Sequence, residues 1–184
     1  VVLEKFGMKV GKEPEMKEWK QFLKKLKNPK KKVKIGLVGK YVELKDAYKS
    51  IAESFIHAGA ANDCKVELEW IHSEQVNDDS KDELLGHLNG ILVAPGFGER
   101  GLQGKLIAVR YARENKIPYL GLCLGLQIAV IEFARNVCKL KEANSTEFNA
   151  FGDNSVIHVM PEQEKKLLKK EYGGSMRLGA WPCV

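Results

Sequence analysis

The spacing of hydrophobic residues changes near residue 33. Before that point, residues 14–27 repeat apolar side chains at helical spacing with lysines on the opposite face, which predicts a short amphipathic helix. Residues 28–32 (Asn-Pro-Lys-Lys-Lys) end this helix and predict a linker. From Val33 onward, short apolar runs alternate with longer amphipathic segments, so a different kind of structure begins there.

Four apolar runs in this second part predict strands at residues 33–38, 65–71, 90–94 and 117–122. Helical spacing predicts helices at 46–60, 102–115 and 124–137, a polar loop through Ser80, and a later strand at 156–160. Alternating strands and helices are typical of an open, mostly parallel α/β sheet with helices on both faces. In such sheets ligands bind at the carboxyl ends of the strands, so functional residues are expected just after Val93 and Leu122.

The net charge of +6 is concentrated at the N-terminus. Residues 1–34 contain twelve Lys and four Glu, so the other 150 residues carry a net charge of −2. A basic leader on a near-neutral body is typical of a solvated linker, and we expect no nucleic-acid partner. No apolar run approaches the roughly 18 residues that a membrane span needs, and no signal-peptide pattern is present, so we expect a cytoplasmic protein without a membrane partner.

The four cysteines, Cys64, Cys123, Cys138 and Cys183, form no Cys-x-x-Cys pair and no spacing typical of metal ligands, so no metal site is predicted. Reduced, mostly buried thiols are expected for Cys64 and Cys138 in a cytosolic protein. Cys123 differs because of its neighbours.

Cys123 lies in the sequence Gly-Leu-Cys-Leu-Gly at residues 121–125, between an apolar strand and an apolar helix. This arrangement is typical of a nucleophile in a tight strand-to-helix turn, where side chains in place of Gly121 and Gly125 would collide with neighbouring backbone. The helix N-terminus favours thiolate over thiol. We interpret Cys123 as a nucleophile; a buried cysteine in a glycine-containing turn is the alternative.

A nucleophile that attacks a carbonyl group needs two N–H donors for the oxyanion. The Leu124 backbone is one candidate. The other is Gly96, in the loop Ala-Pro-Gly-Phe-Gly at residues 94–98, because Pro95 has no N–H and a glycine lets substrate approach closely. Taken alone, this segment also fits an ordinary glycine-proline loop.

Residues 121–127 (Gly-Leu-Cys-Leu-Gly-Leu-Gln) resemble the nucleophile segment of the class I, or triad, glutamine amidotransferases. Four further segments are similar to segments of the CTP synthases within that class: residues 38–41 (Val-Gly-Lys-Tyr), 97–101 (Phe-Gly-Glu-Arg-Gly), 144–148 (Asn-Ser-Thr-Glu-Phe) and 173–179 (Gly-Gly-Ser-Met-Arg-Leu-Gly). The resemblance covers residues 33–184, as an amidotransferase domain that is expected to be incomplete at its C-terminus. Residues 1–32 resemble the end of a preceding synthetase domain and the basic interdomain linker.

The resemblance implies a flavodoxin-like fold and an enzyme that makes CTP from UTP, ATP and L-glutamine. This domain would hydrolyse glutamine through a cysteine thioester and supply ammonia to the synthetase domain, where ATP-activated UTP is aminated. No cofactor is implied for this domain; ATP and Mg²⁺ belong to the synthetase domain, GTP acts as activator, and the full enzyme is expected to be a homo-oligomer.

Carried over by position, the resemblance also implies individual residue roles. The residues expected to contact glutamine are Gly96, Leu124, Gly125, Leu126 and Gln127. Glu147 is expected to bind the α-ammonium group, since a partly desolvated cation needs an anion; without the motif, a solvated loop acid is the better interpretation. Phe97, Arg100 and Gly101 are candidate effector or lid residues.

Two features depart from the family pattern. Residues 94–98 have Ala-Pro-Gly-Phe-Gly where the family more often has Pro-Gly-Gly-Phe-Gly, which keeps Gly96. The family's catalytic His and Glu lie far downstream in a His-x-Glu segment, whereas His158 is the sole His among the 61 residues after Cys123. Because His158 falls in a predicted apolar strand, where a packed or surface-facing side chain is expected, we expect the catalytic His and Glu to be absent and this chain alone to be inactive.

Two other functions stay open from the sequence. The chain is alternatively the glutaminase domain of another class I amidotransferase, such as a GMP synthase, although residues 144–148 and 173–179 argue against this. A non-catalytic glutamine-binding or assembly module is the second alternative, and it would explain a missing catalytic His.

Overall fold

Four parallel strands form the central sheet of the computed structural model, which describes residues 2–9, 11, 14–149 and 154–159. In chain order they are β1 (Lys31–Gly39), β2 (Cys64–His72), β3 (Gly90–Val93) and β4 (Tyr119–Gly121). Their order in the sheet is β2-β1-β3-β4, and every neighbouring pair is parallel. This strand order matches the start of the flavodoxin-like arrangement.

Strand β1 begins two residues earlier than its apolar pattern predicts. Lys31 and Lys32, which the sequence assigns to the linker, pair with the first residues of β2. The pairing extends over all nine residues of both strands. An ion pair supports it at this end, because the Lys32 ammonium group lies 3.4 Å from the Glu67 carboxylate. Strand β1 therefore begins inside the basic segment, two residues before Val33.

Helices cover both faces of the sheet, as the sequence predicts. The helices of the described residues are α1 (Val2–Lys5), α2 (Lys17–Lys27), α3 (Lys49–Ala61), α4 (Lys81–Leu85), α5 (Leu102–Glu114) and α6 (Leu124–Asn136). Successive strand residues point to opposite faces: Leu37 and Leu92 share a core with residues of α3, whereas Val38 and Val93 share one with residues of α5 and α6. The short strand β3 is therefore buried on both sides.

Helix α2 packs against α3 through an aromatic cluster. The Phe22 ring lies 5.2 Å from the Trp19 ring and 5.2 Å from the His57 ring. Lys25 adds an ion pair with Asp63, at 3.6 Å, just after the end of α3. The amphipathic helix predicted at the N-terminus is thus present, although it starts three residues late. Within the described ranges, no helix combines the length and the apolar character that crossing a bilayer requires.

Strands β5 (Asn144–Ser145) and β6 (Ser155–Ile157) form a separate two-stranded parallel sheet. The strand predicted over 156–160 ends early, because the Val159 N–H donates to the Thr146 hydroxyl, 2.7 Å away, rather than to a strand carbonyl. His158 therefore lies outside the strand, and its side chain is exposed. Exposure agrees with the prediction of a packed or surface-facing side chain, and Met160 falls outside the described residues.

A buried ion pair holds α6 against α5. The Glu132 side chain is 2% exposed and accepts hydrogen bonds from Arg113 Nη2 at 2.7 Å and from Asn136 Nδ2 at 2.9 Å. A buried carboxylate is tolerated when it is paired and hydrogen-bonded in this way. Because α6 begins directly after Cys123, this pair helps to orient the helix on which the candidate nucleophile depends.

Candidate active site

Cys123 lies between β4 and α6, two residues after the strand and one residue before the helix. Its backbone has φ 54° and ψ −111°, and this left-handed φ is rare for a residue other than glycine. Such strain persists only where the surroundings impose it, and it is typical of a nucleophile in a strand-to-helix turn. The turn leaves the thiol exposed, beyond the carboxyl end of β4.

Two glycines make this turn possible. A methyl group at Gly121 would overlap the Gly125 backbone in the first turn of α6, and one at Gly125 would overlap the Val93 carbonyl at the end of β3. The predicted collisions with strand and helix are therefore confirmed. Tyr119 adds a restraint, because its hydroxyl donates to the Gly125 carbonyl at 2.7 Å and burial raises the pKa of this phenol, which keeps it a donor.

We expect Gly125→Ala to lower the free energy of unfolding by about 1–3 kcal/mol, because the backbone must move to admit a methyl group against Val93. Thermal unfolding followed by circular dichroism measures the change. Gly11→Ala is the matched control, since nothing lies within 4 Å of a methyl group at that position. Equal unfolding midpoints for the two variants would show that the elbow tolerates the extra atom.

The two residues with candidate oxyanion donors, Gly96 and Leu124, are neighbours in the structure. A Cβ built on Gly96 would be 3.8 Å from the Leu124 side chain, so the loop after β3 meets the start of α6. Within the described part of the chain, neither the Gly96 N–H nor the Leu124 N–H donates a hydrogen bond to another residue. Unpaired N–H groups near a nucleophile are what a developing oxyanion needs.

One peptide group in the loop that carries Gly96, the one between Phe97 and Gly98, is hydrogen-bonded on both sides. The Phe97 carbonyl accepts a hydrogen bond from the Lys40 ammonium group, and the Gly98 N–H donates to Glu147 Oε1 at 2.9 Å. A cation and an anion therefore hold the two ends of the peptide between residues 97 and 98. Glu147, the predicted partner of the substrate's ammonium group, is half-buried beside this loop.

Arg100 and Gly101 lie at the far end of the same loop. Arg100 donates to the Lys40 carbonyl at 3.1 Å, and its guanidinium group lies 5.3 Å from the centre of the Tyr41 ring. Gly101 directly precedes α5 and has φ 73°. A side chain at this position would overlap the Ser73 hydroxyl. The predicted effector or lid residues therefore contact the segment after β1 and the turn after β2.

Leu126 and Gln127, also predicted to contact substrate, lie on the first turn of α6. The Leu126 side chain is 59% exposed, and Gln127 is half-buried. The N–H groups of both residues donate to the Cys123 carbonyl, at 3.1 and 3.2 Å. The Cys123 carbonyl therefore accepts the first hydrogen bonds of α6.

Two buried lysines belong to this region, and the sequence does not single out either as a site residue. Lys40 is 6% exposed and Lys105 is fully buried. Burial lowers the pKa of Lys105 to about 8. The sequence could have indicated Lys40 as a site residue, because it lies in segment 38–41, which resembles the CTP synthases. The sequence contains no indication that Lys105 belongs to the site, since a lysine on a helix is ordinarily solvated.

Exposure does not distinguish Cys123 from the other described thiols. Cys64 is half-buried and Cys138 is exposed, so the prediction of mostly buried thiols is wrong for Cys138. It is exposed because it lies past the end of α6, where Val137 has also left the core. Backbone strain is the feature that marks Cys123. Cys183 and the segment 173–179 fall outside the described residues.

Residues 43–173 match the sequence model of the family described as Glutamine amidotransferase class-I. The chain belongs to this family. The matched span contains the nucleophile elbow, the loop after β3 and Glu147, so the match includes the elements that the geometry brings together.

Two relatives of this amidotransferase are CTP synthases. The chain is 60% identical over 182 residues to the enzyme of Cytophaga hutchinsonii and 57% identical over 183 residues to that of Christiangramia forsetii. These alignments cover 99% and 100% of this chain but 33% of each relative. The chain thus spans about a third of the length of the curated relatives it matches.

A solved structure agrees with these relatives. The Trypanosoma brucei CTPS glutaminase domain with bound acivicin is 39% identical to this chain, with a TM-score of 0.66. The alignment covers 73% of this chain and 53% of that chain. The predicted resemblance to CTP synthases and the predicted open α/β fold are both confirmed.

Proposed function

We propose that this class I amidotransferase hydrolyses L-glutamine to glutamate and ammonia, with Cys123 as the nucleophile. One observation carries the proposal: the strained backbone of Cys123 presents an exposed thiol at the start of α6, where the loop of Gly96 meets Leu124. The N–H groups of Gly96 and Leu124 donate to no other described residue. Acyl transfer uses such a nucleophile together with oxyanion donors.

The chemistry runs through a thioester. The Cys123 thiolate attacks the side-chain carbonyl carbon of glutamine and forms a C–S bond, while the carbonyl oxygen becomes an oxyanion bound by the Gly96 and Leu124 N–H groups. When this intermediate collapses, the C–N bond breaks and ammonia leaves after taking up a proton. Water then adds to the thioester, and the C–S bond breaks to give glutamate and the free thiol.

Glu147 provides the anion for the α-ammonium group of glutamine, and Leu126 and Gln127 line the same site. Because Glu147 Oε1 already accepts from the Gly98 N–H, a bound ammonium group shares this carboxylate with the loop. Glutamine binding is thereby linked to the position of the loop that carries Gly96. This linkage favours an α-amino acid over a simple amide.

The similarity to CTP synthases extends the proposal to the use of the ammonia. We propose that it aminates UTP to CTP in a synthetase domain that binds ATP and Mg²⁺. Residues 1–32 belong to the end of that domain and the linker, and residues 33–184 to the amidotransferase domain. GTP is the proposed activator, acting at Phe97, Arg100 and Gly101, and the proposed enzyme is a cytoplasmic homo-oligomer.

A glutamine-like electrophile such as acivicin, which is bound in the Trypanosoma brucei neighbour, tests the nucleophile directly. We expect it to modify Cys123 before Cys64 or Cys138, because Cys123 lies at a helix N-terminus. Mass spectrometry of peptides locates the adduct. L-Glutamine should slow the labelling, whereas D-glutamine is the matched control and should not. Earlier labelling of another thiol, or equal protection by both enantiomers, would refute the proposal.

A further inference from the structure

Lys105 places a buried ammonium group behind the loop that carries Gly96. It is the fourth residue of α5, and it has no exposed surface. Its Nζ donates to the Ala94 carbonyl at 3.3 Å, where β3 runs into the loop, and a Cβ built on Gly96 would lie 3.5 Å from the same nitrogen. An ammonium group has three N–H donors, and among the described residues Lys105 uses one.

No carboxylate within the described ranges pairs with this charge. Burial, followed by the neighbouring charge of Lys40, lowers the pKa of Lys105 to about 8, and the Cys123 thiolate acts in the opposite direction. Lys105 is therefore still mainly protonated at neutral pH. Two confined ammonium groups repel each other and favour an anion beside them. Lys105 Nζ and the side chain of Leu124, the residue after Cys123, both lie within 4 Å of a Cβ built on Gly96, so the anion that forms at Cys123 is a neighbour of this charge.

Several other charged groups on the elements packed against α5 have partners of their own. On α6, Glu132 binds Arg113. In the turn after β2, Glu74 lies 3.5 Å from both His72 and Arg100. Further pairs around the helix are Arg110 with Asp78, Lys81 with Asp78, and Arg113 with Glu114. The charged neighbours that act on Lys105 are Lys40 and Cys123.

We propose that Lys105 is a positioning residue for the nucleophile: its buried ammonium group stabilises the Cys123 thiolate and fixes the start of the Gly96 loop at Ala94. The proposal rests on the proposed role of Cys123 as the glutaminase nucleophile. Because Lys105 lies on the Gly96 side of the site, its charge also favours the oxyanion that forms there. Lys105 itself contacts the loop rather than the substrate.

Lys105→Met removes the charge and keeps an unbranched side chain of similar length. We expect Cys123 alkylation by iodoacetamide, followed as a function of pH, to be roughly tenfold slower at neutral pH than in the parent protein, because the thiolate loses a stabilising charge. Lys34→Met, which removes the same charge from an exposed residue of β1, is the matched control. Cys138 reports the reagent's own pH dependence in every sample. An unchanged profile in folded Lys105→Met would overturn the proposal.

A second measurement avoids the question of whether Lys105→Met folds. Linkage between the two groups requires that removal of the thiolate lowers the pKa of Lys105 by the same amount. In protein carrying lysine labelled with ¹³C at Cε, the Lys105 NMR signal should titrate at lower pH in Cys123→Ser than in the parent protein. Equal midpoints would overturn the proposal.

Neither measurement uses glutamine, so the two proposals fail separately. Suppose the Lys105 titration midpoints differ between Cys123→Ser and the parent protein, but L-glutamine does not protect Cys123 from acivicin. That result would refute the glutaminase function and keep the electrostatic link between Lys105 and Cys123. Protection by L-glutamine with equal midpoints would instead remove the role of Lys105 and leave the glutaminase function in place.

Discussion

Replacing Cys123 with alanine is expected to abolish glutamine-dependent CTP formation and to leave ammonia-dependent formation nearly unchanged, in a CTP synthase that carries this chain as its amidotransferase domain. Without the sulfur no thioester forms, and loss of the nucleophile of a serine protease costs on the order of 10⁶-fold in kcat. Supplied ammonia bypasses the amidotransferase site, because the two sites do separate chemistry. CTP formation with glutamine or with ammonium chloride as nitrogen source measures both activities.

Cys138→Ala is the matched control for this experiment. Cys138 is also an exposed thiol, but its backbone lies outside the left-handed region. Its removal should leave both activities intact. Retained glutamine-dependent activity in Cys123→Ala would refute the nucleophile assignment, and loss of both activities would show that the two sites are not separable.

The elbow is predictable from sequence because its determinants are local or follow from the parallel sheet. Gly121 and Gly125 lie on either side of the nucleophile, and their contacts are with the start of α6 and with the end of the neighbouring strand. A glycine pattern between an apolar strand and an apolar helix therefore specifies the turn. The strained φ of Cys123 is the consequence of that local geometry.

The contacts that hold the loop after β3 are not predictable in the same way. Lys40 reaches the Phe97 carbonyl across 57 positions of sequence, and Glu147 reaches the Gly98 N–H across 49. Periodicity indicates which face of an element a residue occupies, but it does not identify a partner on another element. Lys40 and Glu147 lie in segments that resemble the CTP synthases, yet the resemblance did not predict these contacts with the loop.

Lys105 shows a different limit of the hydrophobic pattern. A lysine on a helix is ordinarily solvated, so the sequence does not predict its burial. Here α5 begins so close to the turn after β2 that a methyl group at Gly104 would overlap the Ser73 carbonyl. This approach buries the start of α5, and the Lys105 side chain bonds inward to the Ala94 carbonyl. The close approach depends on Gly104, and it becomes apparent only when the turn and the helix are seen together.

The 184 residues by themselves are expected to release ammonia from glutamine at close to the background rate. The thioester route requires a proton for the leaving ammonia and a base for the attacking water, tasks that fall to one imidazole. A general acid–base group contributes about 10²–10⁴-fold. Among the described residues, no hydrogen bond joins an imidazole to Cys123.

None of the four histidines, all of which the structure describes, forms a hydrogen bond with Cys123. His57 packs on the Phe22 ring, His72 lies 3.4 Å from Glu43, and His87 Nε2 lies 2.7 Å from Glu69. His158, the sole histidine after Cys123 in the sequence, is exposed beyond the end of β6.

Ammonia release from this chain, from His158→Ala and from the control His87→Ala tests the expectation, with acivicin labelling of Cys123 recorded in the same samples. We expect labelling in all three proteins, because thiolate formation at the helix N-terminus needs no imidazole. Turnover should stay near background in all three, because no hydrogen bond among the described residues places an imidazole on Cys123 to protonate ammonia or to activate water. Robust turnover that disappears in His158→Ala but survives in His87→Ala would make His158 the catalytic base and overturn the expectation.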